Sequence, residues 1–320
     1  MRGRDWASKL MSAVNDPAIK NVAIVDAGYI GTEASEVFAK AGKHVTLMDM
    51  IDRPLGTYLN PELLDVLEPT FKKNMDLKMG VKIEGFNGNE KVESVKTDQG
   101  DVPADLVVSA GVTPNTDWLK GTVDLDQRGW IKTDPYLRTN VKDVYAIGDA
   151  ILPLSIPVGK PMPIALATTA RREAQYVVDH IFEDKPDRAF KGVIGASALS
   201  VFDYHFATAG LNKFSAPKNK LDYQTSFYED YMRPAYVPEA DNPKVYVSLT
   251  FTPYTHQILG GAVLSKYDIT AQGNVLALAI SHKMRLEDLA EQDFFFQPGF
   301  DRQWSLLNLA AQHALGMARF

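Results

Sequence analysis

The sequence predicts an α/β protein built in two parts, a parallel-sheet βαβ unit followed by a distinct α+β module. Three observations carry this. Two short apolar runs, Asn21 to Val25 and Val45 to Met48, flank a glycine turn and a helix-like stretch, a β-turn-α-β unit of about thirty residues. A polar, proline-containing stretch from Glu183 to Lys191 interrupts the pattern. Beyond it, strand-like runs come first and helices last, the order of an α+β unit. With 320 residues, 45% of them hydrophobic, the chain can fill two or three cores and is too long for one ordinary domain.

Element by element, Asp5 to Val14 has helical spacing, with Trp6, Leu10, Met11 and Val14 as an apolar stripe. The strand Asn21 to Val25 leads into the turn Ala27 to Gly31. The helix Thr32 to Ala41 stops at Gly42, and Val45 to Met48 forms the second strand. Asn60 is placed to cap a longer helix, with Pro61 in the favoured first position. Val81 to Thr97 alternates in short runs broken by Gly85, Asn87 and Gly88, a hairpin or meander, and Asp105 to Ala110 is another apolar strand. Ile131 to Asp134 and Val144 to Ile147 are shorter strand candidates, and Thr168 to Ile181 reads as a helix. In the second module, the runs Ala198 to Phe202, Ala207 to Gly210, Gln224 to Tyr228, Lys244 to Phe251 and Gln257 to Leu264 read as strands. Ile269 to Ser281 and Arg302 to Met317 read as helices.

Composition excludes several function classes. A net charge of -6 argues against nucleic acid as a partner. No run reaches the roughly 18 apolar residues that span a bilayer. The opening MRGRDWASKL lacks a secretory apolar core. The expectation is a cytoplasmic protein with no membrane partner. The absence of cysteine rules out disulfides, thiolate metal sites and thiol catalysis within the chain. No HExxH, P-loop, Tyr-x-x-x-Lys or G-x-S-x-G pattern occurs, and His44, His180, His205, His256, His282 and His313 are scattered. No catalytic residue and no metal ligand is therefore assigned.

The strongest local signal is Val22-Ala-Ile-Val-Asp-Ala-Gly-Tyr-Ile-Gly31, placed after a strand and opening a helix. Backbone N–H groups of such a turn, with the helix N-terminus behind them, suit a pyrophosphate. Asp49 ends the next strand, where a carboxylate can accept from a ribose 2′-OH and would repel the 2′-phosphate of NADPH. The pattern departs from the dinucleotide fingerprint at its first glycine position, which is Asp26. Aspartate tolerates unusual turn angles, and it also puts a negative charge beside the expected pyrophosphate.

The stretch GYIGTEASEVFAKAGKHVTLMD resembles the NADH domain of the pyridine nucleotide-disulfide oxidoreductases. Three later segments are similar to that family in the same order. Gly111-Val-Thr-Pro-Asn115 resembles its G-x-R-P-N signature, with Thr113 in the arginine position. TNVKDVYAIGD, Thr139 to Asp149, resembles its second flavin fingerprint. FFFQPGF, Phe294 to Phe300, with Asp301 and Trp304, resembles the C-terminal signature of the NADH peroxidases and NADH oxidases. The resemblance runs from about Arg2 to the last helix.

What it implies can be placed on residues. Gly28, Ile30 and Gly31 would admit the NADH pyrophosphate, Tyr29 would cover the flavin and swing aside for the nicotinamide, and Glu33 would bond the carboxamide. Asp49 would hold the ribose, and Gly111 would border the same cleft. Gly148 and Asp149 would bind the ribityl and phosphate side of FAD, and Ala165, Leu166, Ala167 and Thr168 would turn backbone N–H groups to the flavin ring. Thr168 as a plain N-cap, Glu33 as a plain first-turn residue and Phe294 to Phe296 as core are the competing readings. Phe295, Gln297 and Pro298 would reach the active site of a second subunit.

The implied map is a connecting helix from the FAD domain (1–20), a Rossmann-like NADH-binding domain (21–137), a C-terminal remnant of the FAD domain (138–190) and an α+β dimerisation domain (191–320). Members of the family open with a first flavin fingerprint and a redox cysteine. The sequence contains neither, which points to a C-terminal fragment with an incomplete FAD site that is inactive alone. The expected function is that of an NADH- and FAD-dependent peroxidase, with hydrogen peroxide or O₂ as acceptor and a homodimer through residues 191–320. DRPLGTYL, FDYHFATAG and IALATTAR lean towards peroxidase, and YMRPAYVP and SKYDIT towards a water-forming NADH oxidase. The alternative in another class is a non-catalytic NADH-binding and dimerisation module.

Overall fold

The structure is a computed structural model that describes residues 4–317. Arg2 and the outermost residues of the expected first and last segments lie outside the described residues.

The first helix, α1 (Arg4–Asn15), has no buried residue. Leu10 and Val14 pack on the neighbouring core, whereas Trp6 and Met11 of the expected stripe are exposed. Then come β1 (Asn21–Val25), α2 (Tyr29–Lys40) and β2 (His44–Asp49), at the expected places. The apolar residues Val22, Ala23 and Ile24 are buried on both faces of β1, as a central parallel strand requires. α3 (Pro61–Asn74) follows Asn60, and β3 (Asp76–Met79), an unforeseen edge strand, follows α3. The meander is β4 (Ile83–Gly88), β5 (Val92–Thr97) and β6 (Gly100–Pro103), and the chain returns as β7 (Leu106–Ser109).

The parallel sheet has the order β3-β2-β1-β7. The chain steps outwards from β1 through β2 to β3 and then crosses back to the other side of β1. The carboxyl ends of β1 and β7 therefore flank the point where strand order reverses, and open α/β sheets bind ligands in the crevice there.

Between residues 110 and 196, regular structure is sparse. Among the described residues it comprises β8 (Leu154–Ser155), β9 (Lys160–Pro161), α4 (Ala167–His180) and two short 3-10 turns, Asp117–Leu119 and Gly148–Ala150. The expected strands Ile131 to Asp134 and Val144 to Ile147 reduce to isolated bridges, Leu125 with Ile131, Ile131 with Ile151 and Arg138 with Tyr145. From them Ile131 and Ala146 join Val123, Leu137 and Ile151 in a small core. The polar stretch 183–191 is exposed but tethered. Arg138 donates to the carbonyls of Glu183 (2.7 Å) and Asp184 (3.0 Å), and Tyr176 Oη donates to that of Arg188 (2.8 Å).

The second module contains β10 (Ser197–Val201), β11 (Tyr204–Gly210), α5 (Ser215–Lys218), β12 (Gln224–Tyr231), β13 (Lys244–Phe251) and β14 (Ile258–Ser265). They form an antiparallel sheet of order β10-β11-β14-β13-β12. Its helices are α6 (Gln272–Ser281), α7 (Leu286–Ala290) and α8 (Leu306–Ala314). Both expected helices are shorter than their periodic stretches, and α7 was not foreseen. Phe294 packs on the core beneath α8, but Phe295 (73% exposed) and Phe296 do not, which overturns core burial for those two; Phe300 is exposed as well.

The two modules share one apolar core. Val22, Ile24, Leu47 and Leu63 of the first cluster with Leu199, Phe206, Tyr246 and Leu264 of the second, each fully buried Leu or Phe contributing roughly 2 kcal/mol. Polar bonds fix the joint. The Asn60 side chain makes no cap bond to α3. Its amide donates to Ser248 Oγ (2.6 Å), and its oxygen accepts from the Lys213 N–H (2.7 Å). Glu62 pairs with Lys213 beside it.

Asn60→Ala is expected to destabilise the chain by about 2 kcal/mol, because buried Ser248 and the part-buried Lys213 N–H lose their bonds. Urea unfolding, in a double-mutant cycle with Ser248→Ala, checks this; strict additivity would show that the Asn60–Ser248 bond carries nothing.

Asp301, buried ahead of α8, gives a second test. Burial lifts its carboxyl to about 6, against the opposing bonds from the Arg302 and Leu306 N–H groups. The folded state thus favours the neutral acid. That stability is complete below about pH 4 and is lost as pH rises through about pH 6. Asp301→Asn is expected to unfold at higher urea than the parent above about pH 6 and to converge with it near about pH 4.

Candidate functional site

The turn between β1 and α2 lies at the carboxyl end of β1, and a carboxylate from the end of β2 holds it. Asp49 Oδ2 accepts from the Ala27 N–H at 2.7 Å, and Asp49 Oδ1 accepts from Ile51 at 3.3 Å. The residue expected to hold the ribose is therefore also a brace of the turn. An ionised carboxylate has acceptor capacity left for a ribose hydroxyl. Below it, Ala27 O accepts from Leu55 N–H at 2.9 Å.

Gly31 is where helix and strand meet. A Cβ there would stand 1.7 Å from the Asp26 carbonyl oxygen. This is the close packing that the last glycine of a dinucleotide turn permits. α2 begins at Tyr29, with Gly28 at the cap position and no side-chain cap. The N–H groups of Tyr29, Ile30 and Gly31, in the first turn, have no carbonyl partner four residues back within the helix, so they face the crevice as donors. Ile30 is exposed there.

Asp26 takes φ of 88°, a left-handed conformation that glycine adopts most easily. Its Oδ1 accepts from the Gly28 N–H at 2.9 Å. A Cβ on Gly111, just past β7, would lie 3.7 Å from Asp26 Oδ2. The carboxylate thus reaches across the crevice. Burial first, and the nearby Asp49 charge second, raise its pKa, with the Gly28 bond opposing.

Tyr29 points to the joint between modules. Its hydroxyl bonds Ser197 Oγ at 2.6 Å, and its ring stacks on Tyr58 at 4.0 Å between centroids. Phe206 lies beyond at 6.0 Å. Burial raises the pKa of Tyr29 and of Tyr58. The swing expected of Tyr29 would have to break both contacts. Ser197 and Tyr58 carry no local sequence signal; only the fold brings them to Tyr29. Glu33 is exposed in a separate groove of about 500 Å³ with Glu36, Lys40, His205 and Asp268.

The flavin-type residues form a second cluster. Gly148 has φ of 70° and opens a short 3-10 turn with the exposed Asp149. The Gly148 N–H donates to Glu173 Oε2 at 2.6 Å. Glu173 is fully buried on α4, its pKa raised by that burial, and its other oxygen has no partner among the described residues. Sequence reading missed Glu173, since a single Glu in a polar helix face carries no signal. α4 starts at Ala167 with Leu166 at the cap position and no side-chain cap, so Thr168 lies in the first helical turn and is not the N-cap. Ala165, Ala167 and Thr168 are exposed around this free N-terminus. A left-handed glycine turn, a free carboxylate and an uncapped helix N-terminus fit a ligand with hydroxyl, phosphate and ring carbonyl groups.

Among the described residues no helix is long and apolar enough to cross a membrane.

A family model described as pyridine nucleotide-disulphide oxidoreductase matches residues 3–174. An NADH oxidase of Enterococcus faecalis is 40% identical over 300 residues, 92% of this chain and 66% of that protein. An NADH oxidase of Mycoplasma pneumoniae is 32% identical, over 96% of this chain and 65% of that protein. The chain thus spans about two thirds of the length of these relatives. A structure described as water-forming NADH oxidase from Lactobacillus brevis bound to NADH superposes with a TM-score of 0.92 at 33% identity, covering 98% of this chain and 69% of that one.

Tyr29→Phe and Ser197→Ala are each expected to cost about 1 kcal/mol, and the double variant no more than either alone. Thermal unfolding of the three checks this; fully additive losses would mean that the bond does not pin Tyr29.

Proposed function

The chain belongs to the pyridine nucleotide-disulphide oxidoreductase family, and from that premise we propose that it supplies the NADH site and a flavin-facing turn of an NADH oxidase. The observation that carries this is the glycine turn at the strand-order reversal, braced by Asp49, in a chain whose relatives are named NADH oxidase.

In this reading the first-turn N–H groups of α2 hold the pyrophosphate, and Asp49 accepts from the adenosine ribose. The charge of Asp49 disfavours a 2′-phosphate. An engineered variant of the L. brevis enzyme, described as an NADPH oxidase, loses an aspartate and gains arginines, the same charge logic. Gly148, Asp149 and the N-terminus of α4 hold the ribityl and ring side of FAD, and Glu173 fixes the spacing between them. Flavin, when bound, supplies two-electron acceptance from NADH. The chain has no cysteine, so a thiol step needs a group from outside it. The names of the relatives favour oxygen as final acceptor over the peroxide that the sequence motifs favoured. Exposed Phe295, Phe296, Phe300 and Trp304 on the second module support self-association through residues 191–320.

The purified chain is expected to bind NADH in calorimetry at least about tenfold more tightly than NADPH and, lacking cysteine, to show no peroxide-dependent NADH oxidation. Equal affinities, or rapid turnover with peroxide, would contradict the reading. Light scattering at micromolar concentration is expected to give a dimer; a monomer would remove the aromatic patch as its interface.

A further inference from the structure

The carboxylate of Asp26 lies inside the glycine turn that the dinucleotide reading assigns to a pyrophosphate. The Gly28 N–H, which a dinucleotide turn offers to the ligand, donates to Asp26 Oδ1 at 2.9 Å. The Ala27 N–H is likewise committed, to Asp49 at 2.7 Å. Asp26 Oδ2 extends towards Gly111 on the other wall of the crevice. The backbone at Asp26 is held at φ of 88°, a conformation that costs a residue with a side chain more than glycine. The same position therefore combines a strained backbone, an internal anion and a crevice at the sheet's ligand-binding point.

We propose that Asp26 is a built-in competitor for the pyrophosphate, so that a dinucleotide binds only as Asp26 takes up a proton or leaves the Gly28 N–H. This rests on the dinucleotide reading of the cleft. The competitor and the ligand are both anions, and Asp26 withholds the Gly28 N–H, which stands next to the free first-turn N–H groups of α2. The groups facing Asp26 deepen the conflict. From the end of β2 comes Asp49, which is braced in place and adds a second negative charge. From the segment before α3 comes the Tyr58 hydroxyl, whose oxygen lies near Gly28. From the loop after β7 comes Gly111, and among the described residues no cationic side chain contributes to the electrostatics at this carboxylate.

The sign follows directly. A bound pyrophosphate disfavours the charged form of Asp26 more than free solvent does, so binding draws in a proton. Affinity then increases as pH falls, and it levels off once Asp26 is protonated in the free chain. Each unit by which the ligand raises the Asp26 pKa corresponds to a tenfold change in affinity across that window. Binding of a probe without phosphate gains nothing from low pH.

The test is calorimetry on the full chain with ADP-ribose, which carries the pyrophosphate without nicotinamide, and with adenosine as control. Titrations between about pH 5 and about pH 8, each in two buffers of different ionisation enthalpy, count the protons taken up. The expected result is tighter ADP-ribose binding at low pH with net proton uptake. Asp26→Asn, which keeps size and turn tolerance, is expected to bind about tenfold more tightly at neutral pH, with no pH slope. Binding by Asp26→Asn where the parent shows none would support the proposal most strongly. ADP-ribose binding that is independent of pH and equal in parent and Asp26→Asn would overturn it while leaving the dinucleotide reading intact. No binding by either protein at any pH would overturn the dinucleotide reading and this inference with it.

Discussion

The arrangement depends on one bond, from the Ala27 N–H to the carboxylate of Asp49. It ties the turn after β1 to the end of β2, across two parallel strands. With it in place, α2 starts at Tyr29, and its free N–H groups point into the crevice between β1 and β7. Without it the turn would lose a charge-assisted bond, one of the stronger kinds a backbone N–H can make. In the proposed NADH site the same carboxylate meets the ribose, so that bracing and recognition would share one side chain.

The turn also contacts the second module. Tyr29 leaves it to meet Ser197 and Tyr58, and the segment before α3 meets Ser248 and Lys213 through Asn60. The shared apolar core around Phe206 and Leu264 locks that contact. A rigid second module thereby positions the aromatic residue nearest the crevice. Glu173 does the equivalent for the Gly148 turn, holding it to α4.

Much of this was legible in the sequence where local patterns decide structure. The runs at 21–25 and 45–48, Gly28, Gly31 and the later fingerprints put the first unit and its family within reach. β3 escaped because four alternating residues, Asp76 to Met79, at a sheet edge carry little signal. Ile131 to Asp134 read as a strand, but its one apolar residue, Ile131, is buried in an irregular core. Core was one reading of the Phe294 to Phe296 run, yet two of its three rings are exposed. The bonds of Tyr29 to Ser197 and of Asn60 to Ser248 join residues 168 and 188 positions apart, which no local pattern encodes. Asp26 was visible as a departure from the fingerprint, but its bond to the Gly28 N–H was not.

The central claim is that the crevice between β1 and β7, behind the braced turn, is where the dinucleotide binds. Amide hydrogen exchange with and without saturating NADH tests it most directly. The account predicts added protection confined to residues 26–31, 49–51 and 111–113, with the second sheet unchanged. Protection elsewhere without change at the turn would contradict it.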